Sequence, residues 1–379
     1  MVQKKESKKR KKINKTTIIT DNPNQIEEKI LKPILICIGE FPLKIVTNEI
    51  SKKNNQVFLN SIFISRFANN WKISKDNQNH IISLDENIDM HFWHQILPLL
   101  NKDNSIIENI LKNSIDKNKG VIVLSSLWEG FGSAITPTLI SQFKDSFTNS
   151  IIFGILPSKI QPSDAHYNAF SAVGLCLSKN FTPIVLIDRD KLESYVGIDN
   201  NGLIIKGNQS VNFLLALIKN NASFVQEISE LSRAFNVKSY SLLMTSGASI
   251  NLYGSLENIL NVTLLRTLLK FNLSSSSIIY GIFRIPKKMK NKLSKNKIEL
   301  VLANWFKDKL PLKSILISDP IFIDSNEDRI DLALFVGGLN LTDIFQSINE
   351  KIRPIKNSAL KNGFIKKKDW EKIVKELIQ

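Results

Sequence analysis

The chain reads as an α/β protein: a parallel sheet flanked by helices, followed by a smaller α+β region. Short apolar runs at 34–38, 57–64, 121–124, 151–156 and 183–187 look like strands buried on both faces. Helix-like segments separate them from residue 34 to about 190, and that alternation predicts a parallel sheet with ligands at the carboxyl ends of its strands. Beyond residue 234 the pattern changes. Runs at 278–285, 314–323 and 330–336 read as a second, smaller sheet, with a helix over 290–306 joining the first two.

The elements follow in order. Residues 1–30 are polar, charged and without periodicity, and are expected to be a disordered basic tail. Residues 91–99 and 105–113 have helix-like spacing, and His91 and His94 fall at i, i+3 without an apparent third ligand, so no metal site is expected. Helices are expected over 137–147 and 164–179, then over 209–220 and 222–234. Phe224, Val225, Ile228 and Leu231 form the buried stripe of the last. The final 30 residues look like a basic amphipathic helix with Trp370, Ile373, Val374 and Leu377 on one side. The expected division is a tail (1–30), a first domain (31–208), central helices (209–236), a C-terminal α+β domain (237–345) and a basic C-terminal helix (346–379).

Composition bounds the function. At 379 residues the chain can hold two domains of about 100–200 residues each. No apolar run approaches the roughly 20 residues of a membrane-spanning helix, and the charged N-terminus lacks a secretory h-region. Cys37 and Cys176 lie in apolar stretches; two cysteines make no disulfide framework, so a reducing, cytoplasmic setting is expected. The net charge of +16 is concentrated at the ends. Residues 1–15 carry eight Lys/Arg and one Glu (+7), and residues 351–379 carry nine and three acids (+6), leaving about +3 for the rest. A third basic run comprises Lys287, Lys288, Lys290, Lys292, Lys295 and Lys297. Such runs bind nucleic acid or an anionic membrane, or serve only as solubilising surface.

The chemistry concentrates at 121–137. A buried strand leads to Gly130-Phe131-Gly132-Ser133 and then, from Pro137, to helix. Strand, glycine-spaced loop and helix start is an arrangement in which backbone N–H groups surround a phosphate, and it is also an ordinary turn.

This layout resembles the tubulin/FtsZ superfamily, and several strings carry the resemblance. Trp128-Glu129-Gly130-Phe131-Gly132-Ser133-Ala134, with Pro137 after it, matches the family's loop after the third strand, Gly-Gly-Gly-Thr-Gly-Ser/Thr-Gly. Leu156-Pro157-Ser158, Ser163-Asp164 and Tyr167-Asn168-Ala169 look like the tubulin loop after the fourth strand and its helix. Ile187-Asp188-Arg189-Asp190-Lys191-Leu192 is similar to the turn on the ribose and guanine side. Glu227-Ile228-Ser229-Glu230-Leu231 and Phe235-Asn236-Val237 look like the central helix and the loop after it. Asp328-Arg329-Ile330-Asp331-Leu332-Ala333-Leu334-Phe335-Val336-Gly337-Gly338 resembles the last strand of the FtsZ C-terminal domain.

The resemblance implies GTP or GDP as cofactor. Gly130, Phe131, Gly132, Ser133 and Ala134 would lie at the phosphates, Asp188 and Arg189 at the ribose and base, and Asn220 or Asn221 at the guanine. Departures run through the same loops. The first loop reads Gly39-Glu40-Phe41-Pro42-Leu43 instead of a glycine-rich turn, and no glycine occurs between Gly39 and Gly120. Trp128, Glu129 and Ala134 replace glycines, and a carboxylate beside a triphosphate is repulsive. Arg189 stands where asparagine is expected. Hydrolysis in the family uses acids after the central helix, Asn-x-Asp-x-x-Asp in FtsZ. The corresponding residues are Asn236, Lys238 and Ser241, and neither of the latter can position water as an acid does.

The resemblance with these departures implies a cytoskeletal protein that assembles head-to-tail, with weak or lost GTP binding and little hydrolysis. Two alternatives stand beside it. One is an active GTP-binding cytoskeletal or cell-division GTPase with diverged loops. The other is a non-polymerising adaptor that binds DNA or an anionic membrane through its basic ends.

Overall fold

One strand run follows another into a single sheet because nearly every strand position is apolar and buried on both faces. The computed structural model describes residues 33–53, 61–66, 79–83, 91–102, 105, 108, 120–146, 149–179, 182–199, 202–307 and 313–378. The expected tail at 1–30 and nearly all of the helix at 105–113 lie outside them.

Six parallel strands open the sheet: β1 (Ile34–Ile38), β2 (Ser61–Ser65), β3 (Asn79–Ser83), β4 (Val121–Ser126), β5 (Ser150–Leu156) and β6 (Ile184–Asp188), in spatial order β3-β2-β1-β4-β5-β6. Helices α1 (Glu40–Lys53), α2 (Trp93–Lys102), α3 (Gly130–Ser146) and α4 (Ser163–Lys179) alternate with them, as the apolar spacing predicts. The short α5 (Arg189–Glu193) and the hairpin β7 (Val196–Ile198) and β8 (Ile204–Lys206) follow, then α6 (Gln209–Lys219) and α7 (Phe224–Phe235). On α7, Phe224, Val225, Ile228 and Leu231 are buried, as expected.

The second sheet is not separate. β9 (Ser239–Ser249) pairs through its first three residues with β6, in parallel, and through most of its length with β13 (Arg329–Gly337), antiparallel. An eleven-residue strand is long enough to serve both partners, and so the sheet continues across the expected boundary. β10 (Ile278–Pro286) lies beyond β13, with β11 (Ser314–Ile317) and β12 (Ile321–Ile323) on its outer side. Between them run α8 (Ile250–Tyr253), α9 (Leu256–Leu265) and α10 (Lys295–Lys307).

The chain closes with three helices where the periodicity predicts one: α11 (Leu341–Lys351), α12 (Arg353–Lys361) and α13 (Lys367–Leu377). Pro354 at the start of α12 and the Gly363 turn break the run. On α13 Trp370, Ile373 and Leu377 are buried and Val374 is half-buried. They seat against α4, where Trp370 stacks on Tyr167 (5.8 Å) and Phe170 (5.6 Å). A Cβ at Gly174 would overlap Ile373, so glycine on α4 is what lets α13 come this close. Among the described residues no helix is long and apolar enough to cross a membrane.

Candidate functional site

The carboxyl ends of β1, β4, β5 and β6 bring together the starts of four helices, and a helix start carries N–H groups without partners in their own helix. The N–H groups of Glu40 and Phe41, at the start of α1, donate to the two oxygens of the Glu129 carboxylate (2.9 and 3.2 Å). Glu129 sits in the link between β4 and α3, so its side chain crosses from one strand end to the next. Gly39 makes this possible: φ is +102°, and a Cβ would overlap the Glu129 carboxylate and Ser126 Oγ. Burial pushes the Glu129 carboxyl above its ordinary pKa and the nearby Glu40 charge adds to that; hydrogen bonds from Ser126 and the two N–H groups oppose it. Glu40 is itself held by the Ser65 hydroxyl.

Beside this cap three side chains pack on one another. Phe41 and Trp128 meet edge-on at 5.1 Å, and the Arg189 guanidinium lies over both rings, 4.8 and 5.3 Å from their centroids. Arg189 also binds Glu193 (2.7 Å). Asp188 accepts from the N–H groups of Asp190 (2.8 Å) and Lys191 (3.4 Å) and so caps α5. Asp190 in turn accepts from Ser158 Oγ (2.5 Å) and Lys159 N–H (3.0 Å). Each acid at this end of the sheet answers donors of the chain itself.

The glycine segment differs from the expected loop. Gly130, Phe131, Gly132, Ser133 and Ala134 form the first turns of α3, which starts seven residues earlier than Pro137 suggested. The Ser133 N–H donates to Glu129 O (2.9 Å) and its hydroxyl to Gly130 O (2.8 Å), which winds the turn despite two glycines. Ser133 and Ala134 are fully buried and face away from solvent. Gly130 and Phe131 line a cavity of about 330 Å³, together with Trp128, Glu129, Arg66 and Asp164. Arg66 lies over the Phe131 ring at 5.7 Å, and Asp164 is paired with the exposed His91.

Asn220 and Asn221 are placed elsewhere, at the junction of α6 and α7. Asn220 bonds to Ala216 O of its own helix (3.0 Å), and the buried Asn221 donates to the Tyr280 hydroxyl (3.0 Å). The asparagine that reaches toward the first loop's helix is Asn212, on α6, which donates to Ile45 O of α1 (2.9 Å). Asn168 is a further positioning residue. It donates to the carbonyls of Trp128 (3.1 Å) and His91 (2.9 Å) and accepts from Trp93 N–H (3.1 Å), fixing the backbone from which Trp128 and Glu129 project. Its place in the Tyr167-Asn168-Ala169 string was visible in sequence, but its partners, 40 and 77 residues away, were not.

At the opposite end of β6 lie Asn236, Lys238 and Ser241, the residues that the resemblance sets against the family's catalytic loop. Only Asn236, Val237 and Lys238 connect α7 to β9. Asn236 ends α7 in the left-handed region (φ 54°). Lys238 donates to Leu177 O (2.7 Å) and faces Glu376 at 3.8 Å, tying it to α4 and α13. Ser241 is a buried strand residue bonded to Thr267 (3.3 Å) and Leu269 O (3.4 Å). Among the described residues no group of three metal-ligating side chains occurs; His94 is buried on Tyr167 instead.

The chain matches no protein-family model and no curated protein. Solved structures do match its fold. The GDP-bound monomer of CetZ1 from Haloferax volcanii has a TM-score of 0.66 at 13% identity, over 86% of this chain and 99% of that one. The GTPγS-bound protofilament of CetZ2 from the same organism gives 0.63 at 14%, with the same coverage. The empty FtsZ dimer of M. jannaschii gives 0.58 at 14%, over 81% and 88%. The chain therefore has the tubulin/FtsZ-superfamily fold.

Proposed function

We propose that this protein is a cytoskeletal element of the tubulin/FtsZ type that assembles head-to-tail without a GTP cycle, its nucleotide crevice closed by its own side chains. The observation that carries the reading is the Glu129 carboxylate across the first two N–H groups of α1. A carboxylate there offers the helix start the same negative oxygens that a phosphate would. The residues fit a nucleoside triphosphate poorly. Glu40, Glu129 and Asp164 line the remaining cavity with carboxylates, and Phe41, Trp128 and Arg189 pack on one another across the loops that the resemblance sets against a nucleotide.

Hydrolysis is absent on this reading because the three-residue connection after α7 carries a lysine and no acid, and that lysine is directed to α4 and α13. Self-association rests on the fold and on its match to a protofilament structure. A contact between opposite ends of one subunit and the next is heterologous and builds an open filament. One observation favours nucleotide binding instead: the start of α3, at Gly130 and Phe131, faces the cavity.

Sedimentation and electron microscopy of the full chain, with and without GTP, separate these readings. Concentration-dependent filaments that ignore nucleotide, with no phosphate release above buffer, are the expected outcome. Steady GTP turnover, or a nucleotide retained through purification, overturns the closed crevice. A monomer at every concentration overturns assembly.

A further inference from the structure

Two of the three basic runs lie among the described residues, and they differ in what their lysines touch. In the run at 287–297, Lys287 pairs with Asp324 (2.7 Å), Lys295 with Asp319 (2.9 Å) and Lys288 with Asn326 O. Lys297 donates to Asn291 O (2.8 Å), and Lys290 lies over Phe322 at 5.5 Å. Five of the six lysines of that run thus have partners within the fold.

The turn between α12 and α13 is different. Lys361, Lys366, Lys367 and Lys368 are all exposed there, and Phe364 stands among them with 57% of its surface open. Among the described residues Lys361, Lys366 and Lys368 have no ion-pair partner, and Lys367 meets only the exposed Glu371, at 3.9 Å. A contact of that kind neutralises little. The tip of the turn is open: a Cβ added at Gly363 would meet nothing within 4 Å. The apolar side of α13 is already buried on α4, so the helix cannot lie down in a bilayer, but its lysine-bearing turn faces solvent.

We propose that this α12–α13 turn is a docking surface for an anionic lipid bilayer, with Phe364 entering the headgroup layer and the surrounding lysines facing acidic headgroups. Lysine is a compact, hydrated point charge suited to a diffuse surface potential rather than to forked recognition of one phosphate. Each lysine near an anionic surface raises partitioning about fivefold, and one exposed aromatic adds a shallow apolar contact. A nucleic-acid strand is tracked by a groove with several stacking rings, and this exposed turn offers one ring, Phe364.

Flotation of the full chain with phosphatidylserine-containing and pure phosphatidylcholine vesicles tests the assignment. Binding is expected only to the anionic vesicles and falls as salt rises. The triple substitution Lys366→Ala, Lys367→Ala, Lys368→Ala is expected to lower partitioning about a hundredfold with the urea midpoint unchanged; Phe364→Ala, which also removes the ring stacked on His94 at 5.3 Å, is expected to lower it several-fold at urea concentrations where the variant is fully folded. Lys287→Ala with Lys288→Ala is expected to leave it unaltered, as is deletion of residues 1–15 to within a few-fold. The proposal is overturned if wild type ignores anionic vesicles, or if the 287/288 pair weakens binding as much as the turn triple. It is equally overturned if deleting 1–15 abolishes binding, or if DNA binds more tightly than vesicles at the same salt.

Discussion

The crevice at the strand ends and the seat of α13 on α4 are built from the same side chains, aromatics and ions, used in opposite senses. In the crevice the ions turn inward. Glu129 and Asp188 satisfy helix starts, and Arg189 lies on two rings. At the seat the aromatics turn inward and the ions outward: Trp370 stacks on Tyr167 and Phe170, and Lys361, Lys367, Lys368, Lys372 and Lys375 face solvent. On the function proposed above, the first arrangement stands in for a ligand; the second extends the core. A fold can be retained while its ligand chemistry changes, because packing depends on the strand and helix faces and ligand binding on the few residues between them.

The sharpest test of that division is Trp370→Ala. Trp370 is 5% exposed and its loss removes two stacked contacts, so a cost of about 3–5 kcal/mol is expected in urea unfolding, with α13 released from α4. A change under about 1 kcal/mol would show that the seat is not part of the core.

Glu129→Ala is the matching test in the crevice. It leaves the Glu40 and Phe41 N–H groups without their acceptor, for an expected cost of about 2–3 kcal/mol. The comparison sharpens with ligand present. If the carboxylate stands in for phosphate, added inorganic phosphate or GTP raises the melting temperature of the variant and not of wild type. Equal behaviour of the two proteins would break the idea that Glu129 occupies an anion's place.

Much of the scaffold was legible because it rests on local pattern. The strands at 34–38, 151–156 and 330–336 and the buried stripe of α7 follow from apolar period alone. The site was legible only in part. Glu129 was recognisable as a carboxylate in a phosphate loop, but its bond to residues 88 and 89 positions away was not, because tertiary hydrogen bonds leave no periodic trace. Gly130-Phe131-Gly132 read as a loop because glycine disfavours helix; the Ser133 hydroxyl's bond to Gly130 O and the packing of Ala134 and Ile135 override that preference. Asn220 and Asn221 show the same limit: spacing set them near α6 and α7 and could not tell that their side chains turn to Ala216 O and the Tyr280 hydroxyl.

A pH titration examines the border between the two regions, where His94 stands. Its ring stacks between Phe92 (5.2 Å) and Phe364 (5.3 Å), and its Nδ1 meets the Tyr167 hydroxyl at 3.0 Å. Burial lowers its pKa from 6.5 to about 4. The folded protein thus refuses a proton that the unfolded chain accepts. The stability this histidine contributes is complete above pH 6.5 and is lost as pH falls toward 4, by about 1–2 kcal/mol at pH 5. His94→Phe keeps the stack and removes the titration. It should be less stable than wild type at pH 7, where the Tyr167 hydroxyl loses its partner, and should overtake wild type near pH 5. Parallel stability curves for the two proteins would mean that the charge of His94 is not what links the α13 seat to acid.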